Sequence, residues 1–458
     1  MLISADLPFV KNYVKLLNEA IKSQAPGKQL TTIQCYWLAF VVLGVLVTNT
    51  LCWSRFARFS NDNYTPAAIC WMFKKAKIAW ELLLYASVQK LLETYGIKSG
   101  ILVIDDTDSE RSKNTSQIAK VHKIRDKKRA GFFNGQNIVF LLLVTDKLTI
   151  PVGFEFYEPD PALHEWQKQD EMLRKKGVTK KYRPIKPQRN VAYPSKITLG
   201  IQLVKEFVEQ FGDIKIKAVI ADTAYGSKDF FENASELTKN AQVISQMKKN
   251  QLINVNGKFI RVDEFFKNYS GKTEVLTLRY DEKIVNYVSA KFKVQAHEKR
   301  LRIVAIKYEN EDEYRYIIAN DPMWLGKDII QAYACRWLVE VFIQDWKSYE
   351  GWEQMAMQRG LDGAEHGIII SLLSDHALHF HQEQLNLYDN KGQAATVGSL
   401  REKVMMESLT NFIEKIITSD NPKGAFDNFS SKISELFQLR SSTKHLRFNN
   451  TDRENIFH

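Results

Sequence analysis

Tyr333, Arg336, Glu340 and Lys347 follow one another at intervals of three, four and seven residues in YACRWLVEVFIQDWK. On an α-helix turning about 100° per residue, with Tyr333 at zero, Arg336 falls near 300°, Lys347 near 320° and Glu340 near 340°, so the four share one stripe about 60° wide. Trp337, Leu338, Val341, Phe342 and Trp346 fall between about 40° and 220°, a broad apolar face for packing against a sheet. Arg336 and Glu340 alone would make a solvated i,i+4 ion pair worth a few tenths of a kcal/mol. A narrow stripe of phenol, guanidinium, carboxylate and ammonium on a helix rich in Trp and Phe suits a metal ligand beside a lane for phosphates.

Two acidic residues further up the chain offer partners for Glu340. Asp106 stands in IDDTD, just after the β-branched run ILVID at 101–105, and Asp222 stands in VIADTAYG, after the buried run at 216–221. Carboxylates projecting from neighbouring strand ends share hard divalent cations well, because Mg²⁺ takes oxygen ligands and leaves positions for water and phosphate. Asp105 and Asp108 compete with Asp106 as the first ligand. A regular strand sends Asp105 and Asp106 to opposite faces, so only one of them aims at a shared metal. His376, His379 and His381 are scattered over several faces by helical spacing and are expected to be core residues, and Trp324 is expected to pack. Lys, Gly and Ser/Thr never assemble into a phosphate-loop motif.

The elements that must carry these residues are legible in outline. Residues 1–98 show apolar spacings of three and four and read as a helical N-terminal domain. The apolar run at 35–48 (CYWLAFVVLGVLVT) falls short of the roughly 18 residues of a span and predicts a core helix, hence no membrane association. From residue 99 the pattern turns α/β. Runs at 138–145 and 149–157 are joined by Asp146, Lys147 and Leu148 as a hairpin, and an amphipathic helix at 197–211 leads into the strand at 216–221. Alternation through 251–320 predicts a β-rich insertion, 321–385 returns to the α/β pattern, and 386–458 reads as a helical tail.

Charge and composition narrow the partners. The chain of 458 residues carries 64 Lys plus Arg against 53 Asp plus Glu, a formal charge of +11 that favours an anionic partner. Residues 107–190 hold 18 basic and 10 acidic residues, most of the surplus, and the clusters KVHKIRDKKR (120–129) and RKKGVTKKYRPIKPQR (174–189) flank the hairpin as a candidate phosphate-binding surface. At 45% apolar and 26% charged the chain is globular, and four scattered cysteines exclude a disulfide framework or a zinc set. The start MLISADLPFVKNYVK lacks the features of a secretory signal, so a cytoplasmic protein is expected.

Residues 333–347 resemble, at every position, the Tyr, Arg, Glu, Lys signature of the DDE transposases of the bacterial insertion sequence family 4 type. The resemblance extends to IDDT at 104–107 and DTAYG at 222–226, and covers about 100–385. It implies an RNase H-like catalytic core, 99–250 and 321–385, interrupted by the insertion, and a DNA-binding role for residues 1–98. Carried over by motif position, Asp106, Asp222 and Glu340 would hold two Mg²⁺ or Mn²⁺ ions. Asp106 is preferred to Asp105 because the family's ligand directly precedes Thr. Tyr333, Arg336 and Lys347 would contact DNA. The implied activity is cleavage of double-stranded DNA at terminal inverted repeats and joining of the freed 3′-OH to target DNA, by a homodimer at the bacterial nucleoid. A catalytically inactive, transposase-derived DNA-binding protein is the alternative.

Overall fold

The structure is a computed structural model that describes residues 7–60, 64–111, 117–126, 130–269, 271, 273–278, 283–309, 311–352 and 360–436, the side chains from 431 on excepted. Lys127, Lys128 and Arg129 of the first basic cluster, the chain start at 1–6 and the tail from 437 lie outside the described residues. Five helices come first: α1 (Pro8–Gln24), α2 (Thr32–Thr48), α3 (Trp53–Phe59), α4 (Pro66–Lys75) and α5 (Trp80–Thr94). α2 opens on a capping box, with Thr31 and Gln34 each bonding the other's backbone amide. Every residue of α2 from Trp37 to Thr48 is buried. Among the described residues no single helix is long and apolar enough to cross a membrane, although α2 and α3, bent by 90° between them, pass that test as a pair.

The sheet begins with β1 (Ser99–Glu110), β2 (His122–Arg125), β3 (Phe132–Val144) and β4 (Thr149–Tyr157). α6 (Pro161–Lys175) follows, capped by Asp160 with Pro161 in its first turn, and α7 (Lys196–Gln210) is capped by Ser195. Next come β5 (Lys215–Ala221), α8 (Lys228–Leu237) and β6 (Gln242–Met247). The alternating segment folds into β7 (Leu252–Val255), β8 (Lys258–Arg261), the short α9 (Val262–Lys267), β9 (Glu274–Thr277), β10 (Ile284–Val294), β11 (Lys299–Tyr308) and β12 (Arg315–Ala319). Helices α10 (Gly326–Ala334), α11 (Trp337–Tyr349), α12 (Gly360–Leu378), α13 (Gln382–Asp389), α14 (Val397–Ile417) and α15 (Pro422–Leu436) complete the chain.

All twelve strands belong to one mixed sheet in the order β2-β3-β1-β5-β6-β12-β11-β10-β7-β8, with β4 beside β3 and β9 beside β10. The hairpin of β3 and β4 is antiparallel, as its short connection requires, whereas β1, β5 and β6 run parallel. The segment from β7 to β12 does not form a sheet of its own. β12 pairs with β6, Ile318 opposite Ser245, so the antiparallel strands extend the same sheet.

Two cores cover the two faces. Leu102, Ile104, Val139, Val219 and Ala221 face α7, α8 and the N-terminal helices, and Val103, Ile138, Phe140, Ala218 and Ile220 face α10, α11 and α12. β1 is apolar at every position from Ile101 to Ile104 because both of its faces are covered. His376 ties the layers together: its Nδ1 accepts from Ser87 on α5 at 2.7 Å and its Nε2 donates to the Pro151 carbonyl of β4 at 3.0 Å. Burial pushes it down to about 3 and His379 to about 4, so both are neutral core residues, and His381 caps α13. Trp324 is partly buried against the second core.

Candidate active site on two parallel strands

β1 and β5 are parallel neighbours whose last pair is Ile104 with Ala221. One residue beyond each stand Asp105, midway along β1, and Asp222, just past the end of β5, so two carboxylates leave side by side where the pairing of the two strands stops. Side chains alternate along a strand, and Asp105 continues the parity of Ile101 and Val103 while Asp222 continues that of Ala218 and Ile220, all on the α11 side. The Asp105 side chain is 15% exposed, and its Oδ2 accepts from Arg336 Nη1 at 3.0 Å.

Asp106 leaves on the other side. Its Oδ2 accepts from Lys196 Nζ at the head of α7 at 2.7 Å and from Asn137 Nδ2 on β3 at 3.0 Å. Asn137 also donates to Asp108, which shares that face. The residue that the transposase motif favours and the residue that stands with Asp222 and the Arg336 stripe are therefore different neighbours in the chain.

The span expected as one helix is two. α10 ends at Ala334 and α11 starts at Trp337, and the amides of Cys335, Arg336, Leu338 and Val339 each bond a carbonyl three residues back. Such 3₁₀-type bonds tighten the turn and rotate the residues that follow. The buried row is Cys335, Val339, Phe342 and Trp346, which unbroken helical spacing also places between about 180° and 240°, and Trp337, expected in the apolar face, is 53% exposed. Trp346 stacks on Trp352 at 4.8 Å and meets Phe140 edge-on at 5.0 Å, while Trp352 Nε1 donates to Ser109 of β1 at 2.6 Å. These contacts fix α11 along the carboxyl-terminal half of β1.

The polar stripe survives the break. Arg336 Nη2 donates to Glu340 Oε1 at 2.5 Å, and Lys347 Nζ donates to the Asp108 carbonyl at 2.6 Å. Tyr333 is largely buried beside Arg336; burial pushes its phenol up, Asp222 and Asp105 push the same way, and Arg336 opposes them. A cleft of 740 Å³ opens between the two helices and the strands β10 to β12, with Tyr333, Arg336, Trp337 and Glu340 on one wall.

Negative charge is crowded here. Burial, followed by the nearby Asp106 and Asp222, pushes the Asp105 carboxyl up to about 6 against the pull of the Asp106 amide and Arg336. Tyr225, three residues after Asp222, has a buried hydroxyl with no hydrogen-bond partner among the described residues, raised by burial and by the same three aspartates. Lys196 is not distinguished by spacing, because it reaches Asp106 through the fold.

Among the described residues no three His, Cys, Asp or Glu side chains are gathered closely enough to hold a metal ion. Arg336 stands between two of the candidate ligands, bonded to Asp105 and Glu340 at once. The donors are carboxylate oxygens, one of them poorly hydrated, which is the chemistry a hard divalent cation selects.

No family model and no curated protein matches the chain. Among solved structures, a piggyBac transposase synaptic complex with hairpin DNA is similar at a TM-score of 0.46 and 13% identity, over 99% of this chain and 87% of that one.

Proposed function

We propose that the chain is a DNA transposase, a metal-dependent phosphoryl-transfer enzyme that cuts insertion-sequence ends and joins their 3′-OH to target DNA. One observation carries the reading: Asp105 and Asp222 leave adjacent parallel strands on the face where Arg336 bridges to Glu340. The strand order β4-β3-β1-β5-β6, with β1, β5 and β6 parallel and β3 and β4 antiparallel, supports an RNase H-like core. The pairing of β12 with β6 supports an insertion that enlarges that core's sheet.

Asp105, Asp222 and Glu340 are the proposed ligands of two Mg²⁺ or Mn²⁺ ions, with Asp105 in the role that the motif gives to Asp106. When bound, such a pair supplies the positive charge that activates an attacking oxygen and stabilises a leaving one. The chain's own groups do the rest. Arg336 releases Glu340 and turns its guanidinium to a backbone phosphate, which it grips in two places. Lys347, already at the lip of β1, holds the next phosphate, and Tyr333 lines the approach. The apolar row of α11 keeps these groups aimed while the substrate changes from water to a 3′-OH. The partners are double-stranded DNA, at terminal repeats and target, and a second copy of the chain in a homodimer at the bacterial nucleoid.

Incubating the protein with Mg²⁺ or Mn²⁺ and a duplex bearing the repeats that flank its coding region should yield a nick with a free 3′-OH, followed by joined product. DNA binding without any metal-dependent nick would leave the inactive, DNA-binding alternative standing.

A further inference from the structure

The chain around β2 and the chain between β4 and α7 carry the basic surplus, and the fold makes one surface of it. Residues 174–189 contain eight Lys or Arg and no Asp or Glu. The loop is held in one shape. Arg183 Nη1 donates to both oxygens of Asp170 at 3.0 Å, Trp166 Nε1 donates to the Pro184 carbonyl at 2.8 Å, and Asp160, the cap of α6, accepts from the Asn190 amide at 2.8 Å. Lys176, Lys180, Lys181 and Lys186 point outward, all exposed and without a carboxylate partner among the described residues. Around them Tyr182, Ile185 and Val191 are 75%, 94% and 94% exposed.

The other basic cluster, about fifty residues earlier, reaches the same place. Lys120 pairs with Glu158 at the end of β4 at 2.9 Å. Lys123 and Arg125 are the exposed residues of the edge strand β2. Arg125 acts on Glu171 of α6, whose carboxylate is held down first by Lys175 and then also by Arg174 and Arg125. The surface ends beside β1, where α7 begins.

Like charges gathered on a fixed loop repel one another, so the free protein gains nothing by collecting them; a polyanion offsets that repulsion and releases its own counterions. The apolar residues are isolated, too few to enter a bilayer, and no aromatic row offers a stacking platform for single strands. We propose that β2, α6 and residues 176–190 form a second, sequence-independent contact for the backbone of duplex DNA running away from the cleaved phosphate. This rests on the transposase reading for the choice of polyanion, and it assigns to this edge the flank of the DNA instead of the reacting bond.

The test compares wild type with K176A/K180A/K181A/K186A and with the same four positions changed to Arg, using a repeat-free duplex of about 40 base pairs. The alanine variant should bind more weakly, and the slope of log K against log salt should become shallower by about 0.9 for each lysine that meets a phosphate. The arginine variant should restore both. Nicking of a short end-bearing duplex should be unchanged, since none of the four reaches the carboxylates. An alanine variant with wild-type affinity and slope overturns the proposal while leaving the transposase reading intact. Binding that changes while no variant or wild type ever nicks DNA removes the transposase and keeps the surface. Stronger binding of single-stranded RNA or anionic vesicles than of duplex by the wild type also overturns it.

Discussion

On the α11 face of the sheet Asp105 meets a guanidinium that it shares with Glu340, whereas on the α7 face Asp106 has the Lys196 ammonium and an amide that it shares with Asp108. The two carboxylates are consecutive in the chain and lie in opposite electrostatic settings. On the α7 face Asp106 is already paired with Lys196, and such pairs hold structure. On the α11 face one cation stands among Asp105, Asp222 and Glu340, with the Lys347 ammonium turned to a backbone carbonyl. A face short of positive charge is where a divalent ion and a phosphate-gripping arginine gain most.

Substitution at the two aspartates is the sharpest way to break this comparison. Asp105→Asn should lower DNA cleavage by about a thousandfold, the loss of several kcal/mol of charge stabilisation, while Asp106→Asn stays within about tenfold of wild type. The reverse ranking in a single-turnover nicking assay would restore Asp106 as the ligand and make the Lys196 pair the one that must open.

The support of the active face gives the next effect in size. Trp346→Ala removes a fully buried ring and should destabilise the chain by about 3–5 kcal/mol in a denaturant titration. Trp337→Ala, on the exposed side of the same helix, should change stability by no more than about 0.5 kcal/mol. Comparable losses at the two positions would mean that Trp337 does not lie on the exposed side of α11.

The smallest effect belongs to the α7 face. Glu155 on β4 is pushed up to about 7 by burial, with Glu206 and Glu365 adding to it. A carboxyl whose folded pKa is raised contributes stability below its ordinary value of 4.5 and loses it as pH rises through about 7. Unfolding free energy should therefore fall over that window. Glu155→Gln should flatten the fall and stabilise the protein by about 1–2 kcal/mol at pH 8, allowing for partial solvent screening. A wild-type profile with no decline between pH 4.5 and 7 would place the proton elsewhere.

Much of this was legible in the chain. The hairpin of β3 and β4 follows from a three-residue connection, α2 from an apolar run too short for a span, and the antiparallel strands after residue 251 from strict alternation. The stripe of Tyr333, Arg336, Glu340 and Lys347 survived the helix break because the residues on both sides keep helical spacing across it. Trp337 and Val339 lie near the two edges of the apolar arc, at about 40° and 240°, and packing against the sheet buries the second and leaves the first exposed. Lys196 and Asn137 carried no signal, since each meets Asp106 across more than thirty residues, whereas Tyr225 stood in the DTAYG motif without its place beside the aspartates of β1 being readable.

The sequence by itself determined the types of group at the site and the period at which each leaves its own element, because backbone geometry fixes those locally. Which of Asp105 and Asp106 shares a face with Asp222 was decided only by the register between β1 and β5, since alternation gives two opposite directions but no absolute one. That register is set by hydrogen bonds between segments more than a hundred residues apart. The same pairing decided that Arg336, and not Lys196, is the cation on the face that Asp105 shares with Asp222.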